Sequence, residues 1–249
     1  MSFKTEAFVL HSRPWKNADR LYSLFTPQEG LIEVIVKSAA KSGNKLAGHL
    51  LPFSRVKVMI GRGRLDHLAG ASVVIDYANL RSDLRLLSLS SSVIELFLAS
   101  DGGAEKIKEF ELLGEILFFL NNQEISTEHK LILVRIFLWK YLSLAGWRPQ
   151  LDSCVICQKD LSAGLSAGEA GKYMPGRGII CREHQNVSSV SISGELIKFL
   201  QFIIRADWGQ LDSLSISQNL NKEWLKISQI YYQTVYDKPS QSLKLFIYG

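Results

Sequence analysis

Cysteine is scarce in this chain, with three residues in 249 and therefore an odd number. That count excludes the disulfide framework of a small secreted domain, which needs even pairing. No run of 18 apolar residues occurs. The densest stretches, ELLGEILFFL and LILVRIFLW, are interrupted by charges at helical intervals, so no membrane span is expected. The opening MSFKTEAFVLHSR has no long apolar core and no small-residue cleavage site, and no secretory leader is expected. A reducing cytoplasm is the compartment these absences imply. Catalytic signatures are missing as well: there is no GxxxxGK[ST] phosphate loop and no HExxH. GRGR at 61–64 lacks the third glycine of a dinucleotide fingerprint and reads as a hairpin turn. Acid pairs such as Glu109 and Glu111 read as a solvated helix face. The expectation is a protein that is not an enzyme.

Acid is also missing locally. Residues 1–76 hold 11 Lys and Arg against 6 Asp and Glu, whereas the remainder holds 18 against 18. The whole net charge of +5 thus belongs to the N-terminal third. The 32 residues from Val34 to Leu65 contain Lys37, Lys41, Lys45, Arg55, Lys57, Arg62 and Arg64 and no acid at all. A solvated face with no partner is the plain alternative for such a cluster. Seven bases on a strand-rich segment favour an anionic polymer.

Secondary structure changes period along the chain. KTEAFVL, RLYSLFT, LIEVIVK, SRVKVMI and LDHLAGASVVI read as five strands, separated by the turn signals RPWKN, PQEG, KSGN and GRG. In LIEVIVK, Ile32, Val34 and Val36 share one face, and Leu31, Glu33, Ile35 and Lys37 the other. SAAKSGNKLAGHL leaves room for a helical turn between the third and fourth strands. Five strands fit an OB-fold barrel, and an SH3-like barrel fits the count too. After Tyr77 the apolar spacing becomes three and four, over ANLRSDLRLLSLSSSVIELFLAS, AEKIKEFELLGEILFFLNN, STEHKLILVRIFLWKYLSLAG, SGELIKFLQFIIRAD and LNKEWLKISQIYYQTVYD. Ile107, Phe110, Leu113, Ile116 and Leu117 form one stripe, and Gly146 is a C-cap candidate. The expected class is α+β: an OB-fold barrel over 1–77, then an all-helical domain over 78–249 with a zinc-binding insertion at 150–187. LSAGLSAGEAG, inside that insertion, is the nearest approach to a linker.

The three cysteines account for the insertion. Cys154-x2-Cys157 is followed, after 23 residues, by Cys181-x2-His184. Two ligand pairs of this spacing each close on a metal through a tight turn, and the intervening chain folds back to join them. Thiolate and imidazole suit zinc, and four protein ligands leave no open position, so the role would be structural. KYMPGRGII reads as a strand leading into the second pair. A redox CxxC and three buried thiols with a chance histidine are the alternatives. His11, His49, His67 and His129 stand singly.

Taken in order, these features resemble the RecO family of bacterial DNA repair and recombination mediators. EAFVLHSRPWKNADRLYSLFTPQEGLIEVIVKSAAK is similar to the family's first three strands, with its TxxxG turn at Thr26 and Gly30 and a basic end to the third strand. HLLPFSRVKV is similar to the LxPF lead-in to the fourth. FLWKYLSLAGWRPQLDSCVIC resembles the helix that ends Gly-aromatic-x-Pro before the first CxxC, and YMPGRGIICREH the return to the second ligand pair. The similarity spans essentially the whole chain and is firmest before residue 65 and between 137 and 184. Many members have four cysteines, whereas His184 stands at the fourth ligand position here.

The resemblance implies a non-enzymatic protein of the bacterial cytoplasm, associated with the nucleoid. It implies binding to single- and double-stranded DNA, annealing of complementary strands and, with RecR, assistance in loading RecA onto SSB-coated DNA. The seven bases named above would neutralise phosphates. With about five in contact on a single strand, the log–log salt slope is roughly −3.5. Trp15 is the candidate for stacking on bases, and Phe25 and Phe53 are expected in the barrel core. The resemblance also brings in the acidic, apolar tail of SSB, for which Lys130, Arg135 and Lys140 around Trp139 are the candidates. A protein-interaction scaffold whose basic face meets an acidic protein is the competing function.

Overall fold

The computed structural model describes residues 2–100, 106–161, 170–184, 188–211 and 213–236. LSAGLSAGEAG therefore lies mostly outside the described residues. The chain divides into two compact units, Met1–Lys130 and Leu131–Gly249. The change of secondary-structure class expected after Tyr77 falls within the first of these.

In the first unit, β1 (Ser2–Pro14), β2 (Arg20–Thr26), β3 (Gly30–Val36), β4 (Arg55–Gly61) and β5 (His67–Ile75) form a closed barrel in the order β1-β2-β3-β5-β4. Neighbours are antiparallel except β3 and β5, which close the barrel in parallel at Ile35↔His67. Alternation dictates the interior. Val34 and Val36 are buried with Ala7, Val9, Leu24, Val56, Val58 and Ile60, and Ile32 packs against them, while Glu33 and Lys37 face outward. A single turn, α1 (Lys45–Gly48), lies in the β3–β4 connection, where the Asn44 side chain caps it, its Oδ1 accepting from Ala47 N–H at 3.0 Å.

The outer side of β1 and β2 is not polar. Phe8 meets Phe110 at 4.7 Å between ring centroids, and Phe25 meets Phe97 at 4.8 Å. These rings belong to α3 (Leu84–Leu98) and α4 (Ile107–Asn121), which cover that face after the short α2 (Asn79–Ser82). Phe25 and Phe53 are both buried as expected, but Phe25 serves the helix contact rather than the barrel interior. The stretch 78–100, expected as one helix, is broken at Asp83. Its backbone is extended, and its carboxylate accepts from the N–H groups of Arg85 and Leu86 at 2.7 and 3.0 Å, so it starts α3. On α4 the expected stripe is buried except for Ile107, which is exposed.

The second unit begins within α5 (Thr127–Leu142), which runs into a π-helical turn, Ser143–Trp147. That turn ends through Gly146 at φ 94°, the left-handed conformation its C-cap role requires. Beyond it come β6 (Ala170–Met174), β7 (Gly178–Ile180), a 3-10 turn at Arg182–His184, β8 (Val190–Ser193), α6 (Gly194–Arg205), α7 (Trp208–Leu211) and α8 (Gln218–Val235). The region is helical in the main, but not wholly so. β7, β6 and β8 form a three-stranded antiparallel sheet, and its third strand falls outside the expected insertion. The core gathers Trp139 of α5 against Tyr231 and Ser228 of α8, and Phe199 of α6 against Trp224. Among the described residues no helix is long and apolar enough to cross a membrane.

Candidate functional site

The second unit brings Cys154, Cys157, Cys181 and His184 together, with their ligand atoms all within 4.8 Å of one another. Cys157 Sγ lies 3.7 Å from Cys181 Sγ. His184 Nδ1 lies 3.2 Å from Cys181 Sγ and 3.9 Å from Cys154 Sγ. A tetrahedron with metal–sulfur bonds of about 2.3 Å and metal–nitrogen bonds of about 2.0 Å has edges of roughly 3.8 and 3.5 Å. The four side chains therefore fit a tetrahedral metal ion with movements of about 1 Å or less.

Local backbone geometry makes this fit. The first pair sits on a knuckle in which Cys154 N–H donates to Lys159 O at 2.9 Å and Gln158 N–H to Cys154 O at 2.9 Å, with Gln158 at φ 62°. The β6–β7 hairpin delivers the second pair. It is locked to the first by Val155 N–H to Ile179 O at 3.0 Å, Gln150 N–H to Arg177 O at 2.8 Å and Ile179 N–H to Gln150 O at 2.9 Å. Gly178 makes this approach possible: a Cβ there would fall 2.0 Å from Gln150 O. Burial by itself pushes the Cys154 thiol up, but the N–H groups of Cys157, Cys181 and Ile156 outweigh it and bring the thiol to about 6. Burial and the neighbouring sulfurs push Cys181 up instead. One thiolate is thus favoured in the cluster before any cation arrives, and a cation would draw out the remaining protons.

The seven bases of the first unit fall into separate groups. Lys37, Lys41 and Lys45 lie on one tightly folded loop, all exposed. Asn44 donates to Lys37 O at 3.0 Å through its side chain and to Lys41 O at 3.3 Å through its backbone. The loop is fastened to the β1–β2 connection by Ser38 N–H to the Asp19 carboxylate at 2.7 Å and Ala40 N–H to Ala18 O at 2.9 Å. That connection carries Trp15, half-buried, with the Arg13 guanidinium 5.5 Å from its ring. Arg64 is exposed in the β4–β5 hairpin. Arg55 and Arg62 are otherwise engaged: Arg55 pairs with Glu6 at 2.6 Å, and Arg62 with Glu29 and, at 2.6 Å, with Asp66. Lys57 lies 3.9 Å from the same Glu6. With Lys4, which the sequence reading passed over, Lys57 lines an open groove of about 540 Å³ across β1, β4 and β5, beside Met59 and Ser72. Strand alternation at Lys4 and Glu6 was the signal for it.

Residues 1–76 match the family model for the recombination protein O N terminal region, and residues 81–244 match that for its C terminal region. The chain belongs to the RecO family. It is 31% identical over 226 residues to a DNA repair protein RecO of Dehalococcoides mccartyi, covering 89% of this chain and 85% of the relative. It is 25% identical to that of Bifidobacterium adolescentis over 98% of each chain, and 26% identical to that of Alkaliphilus metalliredigens over 96% and 95%. Membership gives the chain a role in DNA repair and recombination.

One expectation for this RecO-family chain needs correction. Trp139 is wholly buried: its Nε1 donates to Ser228 Oγ at 2.8 Å and its ring stacks on Tyr231 at 4.3 Å. It cannot present an apolar surface to a tail peptide. Lys130 is also buried, and burial lowers its ammonium pKa. Arg135 donates to Asn221 at 2.6 Å and lies over the Trp224 ring, with burial bringing it down to about 10. Lys140 donates to Ala206 O at 2.6 Å. The helix is apolar around nearly its whole circumference, so its bases serve the interior of the fold. An exposed alternative lies in the second unit, where Arg148 and Arg205 border a cavity of about 310 Å³ with Gln201, Ile204 and Asp152. Exposed Trp147 and Phe202 are their sequence neighbours.

Proposed function

We propose that the chain is a non-enzymatic DNA-binding mediator: an OB-fold barrel that binds single- and double-stranded DNA, anneals complementary strands and, with RecR, assists RecA loading onto SSB-coated DNA. The observation that carries this reading is the Lys37–Lys41–Lys45 loop, braced beside Trp15 and carrying no ion pair to an acid among the described residues. Charge concentrated in this way neutralises phosphates, releases counterions and lowers the mutual repulsion of two strands brought side by side. Arg55 and Arg62 contribute less, since their own acids already hold them. Zinc is the metal we assign to Cys154, Cys157, Cys181 and His184, in a structural role. The acidic, apolar tail of SSB we move from α5 to the Arg148–Arg205 cavity, where exposed Arg148 follows exposed Trp147 in sequence and Arg205, paired with Asp152 at 2.6 Å, lines the same wall.

Fluorescence energy transfer between two complementary labelled oligonucleotides tests the central reading. The chain is expected to accelerate annealing several-fold, and the variant with alanine at Lys37, Lys41 and Lys45 is expected to lose that acceleration while keeping its zinc and its circular dichroism. Equal annealing by both proteins would refute the proposed site. Competition by an acidic tail peptide, lost in Arg148→Glu, tests the cavity separately.

A further inference from the structure

The four metal-binding side chains are unequally protected. Cys154 is 0% and Cys181 6% exposed, whereas Cys157 is exposed. Cys157 Sγ already stands 3.7 Å from Cys181 Sγ, so a bond of about 2.05 Å needs a closure of less than 2 Å shared by two side chains. Lys159, held by Glu183 at 3.1 Å, ties the two ligand turns together. The exposed thiolate of the cluster is the one an oxidant reaches first.

From this we infer that the cluster is an oxidation-sensitive clasp in which a peroxide joins Cys157 to Cys181 and releases the metal. The inference rests on the zinc assignment above. The Cys157 thiolate attacks one peroxide oxygen, an S–O bond forms and the O–O bond breaks, and the departing oxygen takes a proton and leaves as water or alcohol. The Cys181 thiolate then attacks the sulfenic sulfur; the S–S bond forms, the S–O bond breaks and hydroxide leaves, taking up a proton. Two thiolates lose two electrons and the peroxide gains them, while zinc keeps its charge throughout. Cys154 and His184 are left, and two ligands do not hold zinc at a structural site. Release of the metal loosens the β6–β7 hairpin, which carries fully buried Tyr173 and at Gly176 lies close to Thr234 of α8.

The test uses the full chain as purified. Zinc is first quantified, and its absence overturns both the metal assignment and this inference. The loaded protein is then treated with hydrogen peroxide, zinc release is followed with a chromophoric chelator, and disulfides are mapped by peptide mass spectrometry. The expected result is one zinc released and two thiols lost per chain at the same rate, with Cys157–Cys181 as the main disulfide and zinc retaken after reduction. In Cys157→His, which keeps four ligands, release is expected to slow at least tenfold. Zinc retained under peroxide, release without a disulfide, or Cys154–Cys157 as the main product would each overturn the clasp while leaving the metal site intact. The mapping on the unaltered chain decides the matter even where the variant does not fold.

Discussion

Gly178→Ala probes how the two ligand pairs are held together. Gly178 sits at φ 140°, and an added Cβ would lie 2.0 Å from Gln150 O, 2.7 Å from its N and 2.8 Å from its C. All three atoms are backbone, so no side-chain rotation relieves the clash. The chain must separate there, breaking the Gln150 N–H to Arg177 O and Ile179 N–H to Gln150 O bonds at about 1 kcal/mol each. Forcing alanine into this region of backbone space adds about 1–3 kcal/mol. The total of about 3–5 kcal/mol falls on the geometry that brings Cys181 and His184 to Cys154 and Cys157. Through linkage of folding and metal binding it is expected to weaken zinc affinity by roughly 100- to 5,000-fold. Chelator competition measures that affinity directly, and far-ultraviolet circular dichroism verifies that the helices persist. Zinc affinity within threefold of the parent, with an unchanged melting temperature, would refute the reasoning.

Two further outcomes are expected. Asp83→Ala should lower the melting temperature by removing the cap of α3. Because hydrogen bonds from Leu86 and Arg85 N–H hold the carboxyl below its usual range, the cap stabilises above about pH 3.8 and is lost as pH falls through the depressed value. The gap between parent and variant should therefore close in acid, and a gap independent of pH would count against the cap. Trp139→Ala should cost about 3–5 kcal/mol in urea unfolding followed by circular dichroism, since the ring is fully buried and Ser228 loses its donor. A cost below about 1 kcal/mol would contradict the burial.

The five strands and the metal quartet were legible because each is written in short-range spacing: alternation of two in LIEVIVK, and paired ligands two residues apart in CVIC and CREH. What escaped depended on long-range placement. Arg55 and Arg62 looked like free bases because Val34–Leu65 contains no acid, yet Glu6 and Glu29, 49 and 33 residues away in sequence, meet them in the folded barrel unit, and Asp66, just beyond that stretch, holds Arg62 as well. Asp83 broke an otherwise continuous helical pattern because one carboxylate satisfies two N–H groups and offers the backbone another start. The third strand of the small sheet, VSIS, is too short to declare a period. In α5, apolar residues on every side hid which face was outward. Leu133, Phe137, Trp139 and Leu142 are all buried, and the bases between them carried no information about solvent. Phe8 and Phe25 alternated as core residues should, but the helices covering them could not be read from the strands.

The most direct measurement is an anisotropy titration of a labelled single strand at several salt concentrations, with the parent chain and with alanine at Lys37, Lys41 and Lys45. Each lost phosphate contact removes about 0.7 from the log–log slope, so a parent slope near −3.5 should flatten by about 2. Affinity near 0.1 M salt should fall roughly 100-fold. A variant that keeps the parent's slope and affinity would contradict the claim that DNA lies along this loop.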